Sequence, residues 1–149
     1  RLMSKLVVGK KAPNFDYKTN DGKSISISNL KGQKILLYFY PRDNTPGCTK
    51  QACSLRDSME LLKDKNIKII GVSKDSEKSH KNFISKYNLN FDLIPDIERK
   101  IIKSYDVQNE KGSAFRKSFL IDENGILIKI WDKVKAATHG QEVLDFLDE

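Results

Sequence analysis

The chain has 149 residues, enough for one domain with a sizeable core and too few for two full ones. Its formal charge of +7 comes mostly from lysines scattered along the chain, so it reads as a solvated surface, with no aromatic-interleaved basic patch that would mark a nucleic-acid binder. No window approaches ~18 uninterrupted apolar residues, which predicts no membrane span, and two cysteines are too few for a disulfide scaffold.

Arg1 to Ser4 lack the apolar stretch of a signal peptide. From Ala12 the chain runs APNF, then Asp16-Tyr17-Lys18, Asn20-Asp21-Gly22 and Ser24-Ile25-Ser26-Ile27. An Asp-Gly between alternating residues predicts a small hairpin. Ser28 to Gly32 forms a turn into Ile35-Leu36-Leu37-Tyr38-Phe39-Tyr40, a short aromatic-rich run stopped by Pro41 and expected to be a buried central strand. A helical pattern follows from Thr49 to Lys65, with Cys48, Ala52, Leu55, Met59 and Leu62 in one apolar stripe. Cys48 thus falls in the first turn of a helix, where unpaired amides and the positive dipole end favour a thiolate.

Ile67 to Val72 is a second buried strand. Asp75 or Ser76 caps the next helix, whose apolar face is His80, Phe83, Ile84 and Tyr87; His80 reads as a packed structural histidine. Phe91 to Ile94 is a short strand ended by Pro95, and Ile97, Ile101 and Tyr105 recur as in a brief helix. After a polar loop at Asn109 to Ser113 comes a hairpin, Ser118 to Ile121 and Ile126 to Trp131. The last helix opens with Thr138 and Gln141 as a capping box and buries Val143, Leu144 and Leu147. Strands alternating with helices, closed by a hairpin and helix, give an α/β, thioredoxin-like plan: a mixed central sheet flanked by helices, with an N-terminal β-hairpin. One domain, 1–149, is expected. The fold alone does not settle a function.

The stretch Pro41 to Cys53, PRDNTPGCTKQAC, holds both cysteines. Pro41-x-x-x-Thr45-x-x-Cys48 resembles the peroxidatic motif of the peroxiredoxins, and Cys53 resembles the resolving cysteine of their Q-type, bacterioferritin-comigratory branch. The likeness extends to APNF, to GVSKDS and to Arg116 before SFLID. It implies a thiol peroxidase for hydrogen peroxide and alkyl hydroperoxides, recycled by thioredoxin or a similar thiol reductant. In that mechanism Cys48 attacks the peroxide and Arg116 holds thiolate and peroxide. Thr45 accepts a hydrogen bond from the peroxide, amides near Gly47 and Cys48 add donors, and Pro41 limits water around the sulfur. Pro46 reads as simple turn chemistry. Gln51 stands where the family commonly has glutamate, a departure that implies no loss of mechanism; the loop from Val107 to Arg116 looks shorter than in many relatives.

Helix geometry constrains the resolving step. Residues five apart on an α-helix are separated by ~7.5 Å in rise and roughly 140° in direction, so their Cα atoms lie about 8–9 Å apart. A disulfide needs less than ~7 Å. Either the first turns unwind or Cys53 is not the resolving thiol.

No metal and no organic cofactor is expected; two histidines far apart make a poor zinc set with the cysteines. A monomer is expected, with a dimer left open. A cycling thiol needs a reductant, which favours an intracellular compartment, cytoplasm by default, with nucleus or organelle open. Two rival readings exist. A dithiol reductase would employ Cys-x-x-Cys, which the four-residue gap argues against. A basic nucleic-acid-associated or chaperone-like module on the same fold rests on net charge alone.

Overall fold

The structure is a computed structural model that describes residues 6–18 and 23–149. The turn expected at Asn20-Asp21-Gly22 and the start of the chain, Arg1 to Ser4, lie outside the described residues. Strands β1 (Asp16–Lys18) and β2 (Ser24–Ser26) pair antiparallel, so the flanks of the expected hairpin are present.

A five-stranded sheet organises the rest, built from β3 (Lys34–Phe39), β4 (Ile67–Ser73), β5 (Asp92–Pro95), β6 (Lys117–Ile121) and β7 (Leu127–Trp131). The order is β5-β4-β3-β6-β7, with β3 central, parallel to β4 and antiparallel to β6. This is the mixed, thioredoxin-like sheet that the element order implied. Apolar residues fill both faces of β3, and their alternation assigns them to two cores. Ile35, Leu37 and Phe39 join Phe15, Ile25, Ile102 and Phe119 on one side. Leu36, Tyr38 and Tyr40 join Cys48, Ala52, Leu55, Phe83 and Val143 on the other.

Helices α1 (Pro46–Asp57), α2 (Met59–Asp64), α3 (Glu77–Tyr87) and α5 (His139–Leu147) supply the second core, while α4 (Lys100–Ser104) covers the first. The apolar stripe Cys48, Ala52, Leu55, Met59, Leu62 is buried throughout. It does not lie on one continuous helix, however: Ser58, at φ −92° and ψ 2°, ends α1 and begins α2. Gly71 lets β4 cross this core closely, since a Cβ there would sit 2.6 Å from Leu93 and 2.9 Å from Tyr38.

Ser76 caps α3, its hydroxyl accepting from the Ser79 amide at 3.1 Å. The expected Thr138–Gln141 capping box is not formed. Thr138 makes no side-chain cap, and Gln141 reaches forward to Asp145 instead. A 3₁₀ turn at Ala136–Thr138 leads into α5, and the Glu142 carboxylate turns back to accept from the Lys135 amide at 3.0 Å. Leu147 is half-buried. In the brief helix, Ile101 and Tyr105 are buried but Ile97 lies before α4 and is exposed.

Candidate active site

The site forms where β3 ends. The chain leaves the sheet at Tyr40, crosses Pro41 to Thr45, and enters α1 with Thr45 as N-cap and Pro46 in the first helical turn. Proline suits that place because its missing N–H would have no intrahelical acceptor and its φ is already helical. Cys48 is the third residue of α1, so its amide and that of Gly47 are among the donors a helix leaves open. The Cys48 side chain is buried and Cys53, at the edge of the stripe, is half-buried; both are free thiols.

Sheet register brings in the arginine. Tyr38 pairs with Ser118 and Phe39 with Lys117, so the residue just before β6 comes level with Tyr40. Alternation then turns Arg116 to the same side as Ser118 and Leu120, towards α1. Its Nη2 lies 3.2 Å from Cys48 Sγ, and its Nη1 donates to Gln51 Oε1 at 2.7 Å. Sixty-eight residues of sequence separate the arginine from the cysteine it touches. A fixed guanidinium at this distance stabilises negative charge on sulfur and on an oxygen bound beside it.

Thr45 is half-buried, and its hydroxyl donates to the Arg42 carbonyl at 3.1 Å. That bond occupies its proton and leaves its lone pairs free to accept. Pro41 is half-buried at the start of the loop. Five site residues read from sequence therefore lie on one structural unit: the β3–α1 loop, the first two turns of α1, and the entry to β6.

Two contributors escaped the sequence reading. Gln51 is fully buried and holds the guanidinium from the side away from sulfur. Its signal was available, since it lies three residues after Cys48 on the same helical face. Its Nε2 and the Tyr38 hydroxyl are buried polar atoms without hydrogen-bond partners among the described residues. Burial, then the neighbouring Cys48 and Asp43, push the Tyr38 phenol well above its ordinary value, which keeps it a neutral donor. Asp43 is the other. It lies inside the quoted stretch, yet besides Tyr40 its partners come from α3 and the β4–α3 turn, which no spacing reveals.

Comparison with known proteins matches residues 8–130 to the AhpC/TSA family. The chain belongs to that family. Its similarity is to the Q-type peroxiredoxin branch: it is 44% identical to the peroxiredoxin Bcp of Bacillus subtilis over 149 residues, covering 95% of each chain. It is 38% identical to a chloroplastic peroxiredoxin Q of Suaeda salsa, covering 98% of this chain and 70% of the relative. A crystal structure of Xylella fastidiosa PrxQ superposes with a TM-score of 0.89 at 30% identity, covering 98% of each chain. This peroxiredoxin is accordingly a thiol-dependent peroxidase, an oxidoreductase on a thioredoxin-like fold. No helix among the described residues is long and apolar enough to cross a membrane.

Proposed function

We propose that this single-domain peroxiredoxin reduces hydrogen peroxide and alkyl hydroperoxides with Cys48 as the peroxidatic cysteine and Cys53 as the resolving one. The observation that carries the reading is the Arg116 guanidinium 3.2 Å from the Cys48 sulfur at the start of α1. A structural relative from Xanthomonas campestris, 29% identical with a TM-score of 0.85, is described by its alkyl peroxide reduction activity, which supports the substrate class.

The Cys48 thiolate attacks one peroxide oxygen. The S–O bond forms as the O–O bond breaks, and the departing oxygen leaves as water or an alcohol after taking a proton. Negative charge grows on that oxygen in the transition state, so donors fixed beforehand lower the barrier. Arg116 and the open amides of Gly47 and Cys48 supply them, while Thr45 accepts from the peroxide O–H and holds it in line. Pro41 stiffens the loop and limits water. Cys53 then displaces hydroxide from the Cys48 sulfenic acid, giving one disulfide. Two thiols of thioredoxin or a similar reductant restore both cysteines and take up the oxidation. A monomer in a reducing compartment suffices for this cycle.

Both cysteines lie within α1, so the bond requires its first turns to open. Opening breaks the Arg116–Gln51 bond, but three other anchors of α1 lie further on. The Gly140 amide donates to Ser54 Oγ at 2.9 Å, Arg56 Nη1 donates to the Tyr87 carbonyl at 2.6 Å, and Asn90 Nδ2 donates to the Arg56 carbonyl at 3.3 Å. Opening from Pro46 to Cys53 leaves them intact.

The test is peroxide consumption by purified Cys48→Ser and Cys53→Ser proteins with a thiol reductant. The first swap removes the nucleophile at nearly constant volume and should abolish turnover; retained turnover would refute Cys48 as the nucleophile. Cys53→Ser should still consume one equivalent of peroxide but accumulate sulfenic acid. An unaltered cycle in that variant would remove Cys53 from the mechanism.

A further inference from the structure

Asp43 lies midway between Pro41 and Thr45, and its carboxylate is almost wholly enclosed. Oδ1 accepts from the Tyr40 hydroxyl at 2.6 Å; Oδ2 accepts from the Ser79 hydroxyl at 2.8 Å and meets His80 Nδ1 at 2.7 Å. The Asp43 amide donates to Asp75 Oδ2 at 2.9 Å, and Asp75 is itself held by the Ser73 hydroxyl at 2.7 Å. One residue thereby ties the catalytic loop to β3, to α3 and to the β4–α3 turn. The next residue, Asn44, takes the left-handed conformation at φ 60° and turns the chain into Thr45.

The His80 ring is 2% exposed, and its other nitrogen, Nε2, stands 3.1 Å from the Ile94 carbonyl oxygen. A backbone carbonyl can only accept, and so can an ionised carboxylate. Both ring nitrogens must then donate, which requires both to carry protons. Charges around the ring agree. Lys81 is engaged with Glu77 at 3.2 Å and Lys23 with Asp92 at 3.5 Å, while Asp43 and Asp75 each set a carboxylate oxygen within 4.8 Å of a ring nitrogen, Asp75 with Lys74 at 3.8 Å. Burial alone would raise the Asp43 carboxyl, but hydrogen bonds from His80 and Tyr40 outweigh it and hold the group below its ordinary value. Asp43, Asp75 and His80 have ligand atoms within 4.8 Å of one another, yet those atoms are already committed to these hydrogen bonds, so the cluster is a closed network and not a cation cage.

We propose that Asp43 is a positioning residue for the peroxide site, and that it acts as one half of a buried ion pair with a doubly protonated His80. The inference rests on the reading of Thr45 and Cys48 as the peroxide site. An isolated buried charge is costly, so the pair holds only with both partners, and losing either frees the loop. Thr45 would move relative to sulfur, and displacement by about 1 Å can cost up to roughly a hundredfold in rate.

Two measurements test it. Long-range proton–nitrogen NMR of the reduced ¹⁵N-labelled protein at about pH 7 shows two ring systems, because the chain has two histidines. His80 should show two protonated nitrogens. His139 serves as the internal control: burial lowers it below its ordinary value, Nδ1 donates to Glu142 and Nε2 accepts from Ser118, so one nitrogen should be bare. A bare nitrogen on His80 overturns the ion pair whatever the activity. The second measurement compares two reactions of Cys48 in Asp43→Asn. The second-order rate with peroxide should fall at least about tenfold while alkylation by iodoacetamide changes less than about threefold, since only the peroxide must be oriented. Equal losses, or no loss, overturn the positioning role. His80→Gln carries the same comparison should Asp43→Asn fail to fold. Failure of wild-type Cys48 to react with peroxide would instead sink the underlying function and leave the NMR result standing.

Discussion

Arg116→Ala tests the site most directly, because the guanidinium makes two bonds with different consequences. Nη2 to Cys48 Sγ, at 3.2 Å, acts on the reaction. A hydrogen bond to a charged group is worth about 1.5–3 kcal/mol, and each ~1.4 kcal/mol is tenfold in rate, so the peroxide rate should fall roughly 10- to 150-fold. Coulomb's law at an effective dielectric of ~20 would suggest more, but Arg116 is half-buried and water would enter its place. Nη1 to Gln51 Oε1, at 2.7 Å, acts on stability. Gln51 is fully buried and its Nε2 already has no partner, so the variant leaves the whole amide unmet, at about 1–3 kcal/mol. Melting should drop by roughly 2–10 °C for a domain of this size. Gln51→Leu added to Arg116→Ala should restore part of the melting temperature and none of the rate. Stopped-flow reaction with hydrogen peroxide and thermal melts read the two effects separately. A peroxide rate within about twofold of wild type would refute a catalytic role for Arg116; a rate recovered along with stability would show the loss to be only structural.

Oxidation with one equivalent of peroxide should raise hydrogen exchange at Thr49 to Asp57, whose amides bond to carbonyls four residues earlier, in or just before the opened stretch, while Ser58 and Leu62, which donate to the Ser54 and Ser58 carbonyls, keep their protection; equal protection before and after, with the disulfide confirmed by mass spectrometry, would contradict the unwinding. Gly140→Ala should destabilise: a Cβ there would lie 2.7 Å from the Ser54 carbonyl oxygen and closer still to Ser58 Oγ, and such overpacking costs about 1–3 kcal/mol against at most ~1 gained in helix propensity. An unchanged or raised melting temperature would refute that packing. His139 gives a pH dependence. Burial lowers its folded value below the ordinary 6.5, so the unfolded chain takes up the proton first. Its contribution is complete above that value and shrinks as pH falls through it, so between about pH 7 and 5 His139→Gln should show a flatter loss of stability than wild type. Parallel curves would disprove it.

Sequence by itself determined the elements whose cause is local. Short apolar runs placed β3 and β4, a hairpin pattern placed β6, Pro41 and Pro46 punctuated the loop, and Cys48 was assigned to a helix start because its stripe runs on through Ala52 and Leu55. Local chemistry also misled where a rival contact was stronger. Thr138 has the right type for a cap, but Glu142 takes the preceding turn through the Lys135 amide, and the stripe to Leu62 concealed the break at Ser58. Tertiary structure alone decided which distant groups meet. The antiparallel register of β3 on β6 brings Arg116 to Cys48 and Gln51, and α3 docked beside the catalytic loop gives Asp43 its partner in His80. The His80 side chain shows the limit plainly: helical spacing puts it on an apolar face, but whether that face meets aliphatic carbon or a carboxylate depends on a residue 37 positions away. Periodicity carries burial, a property of one element and water, whereas charge pairing is a property of two elements and exists only once they are packed.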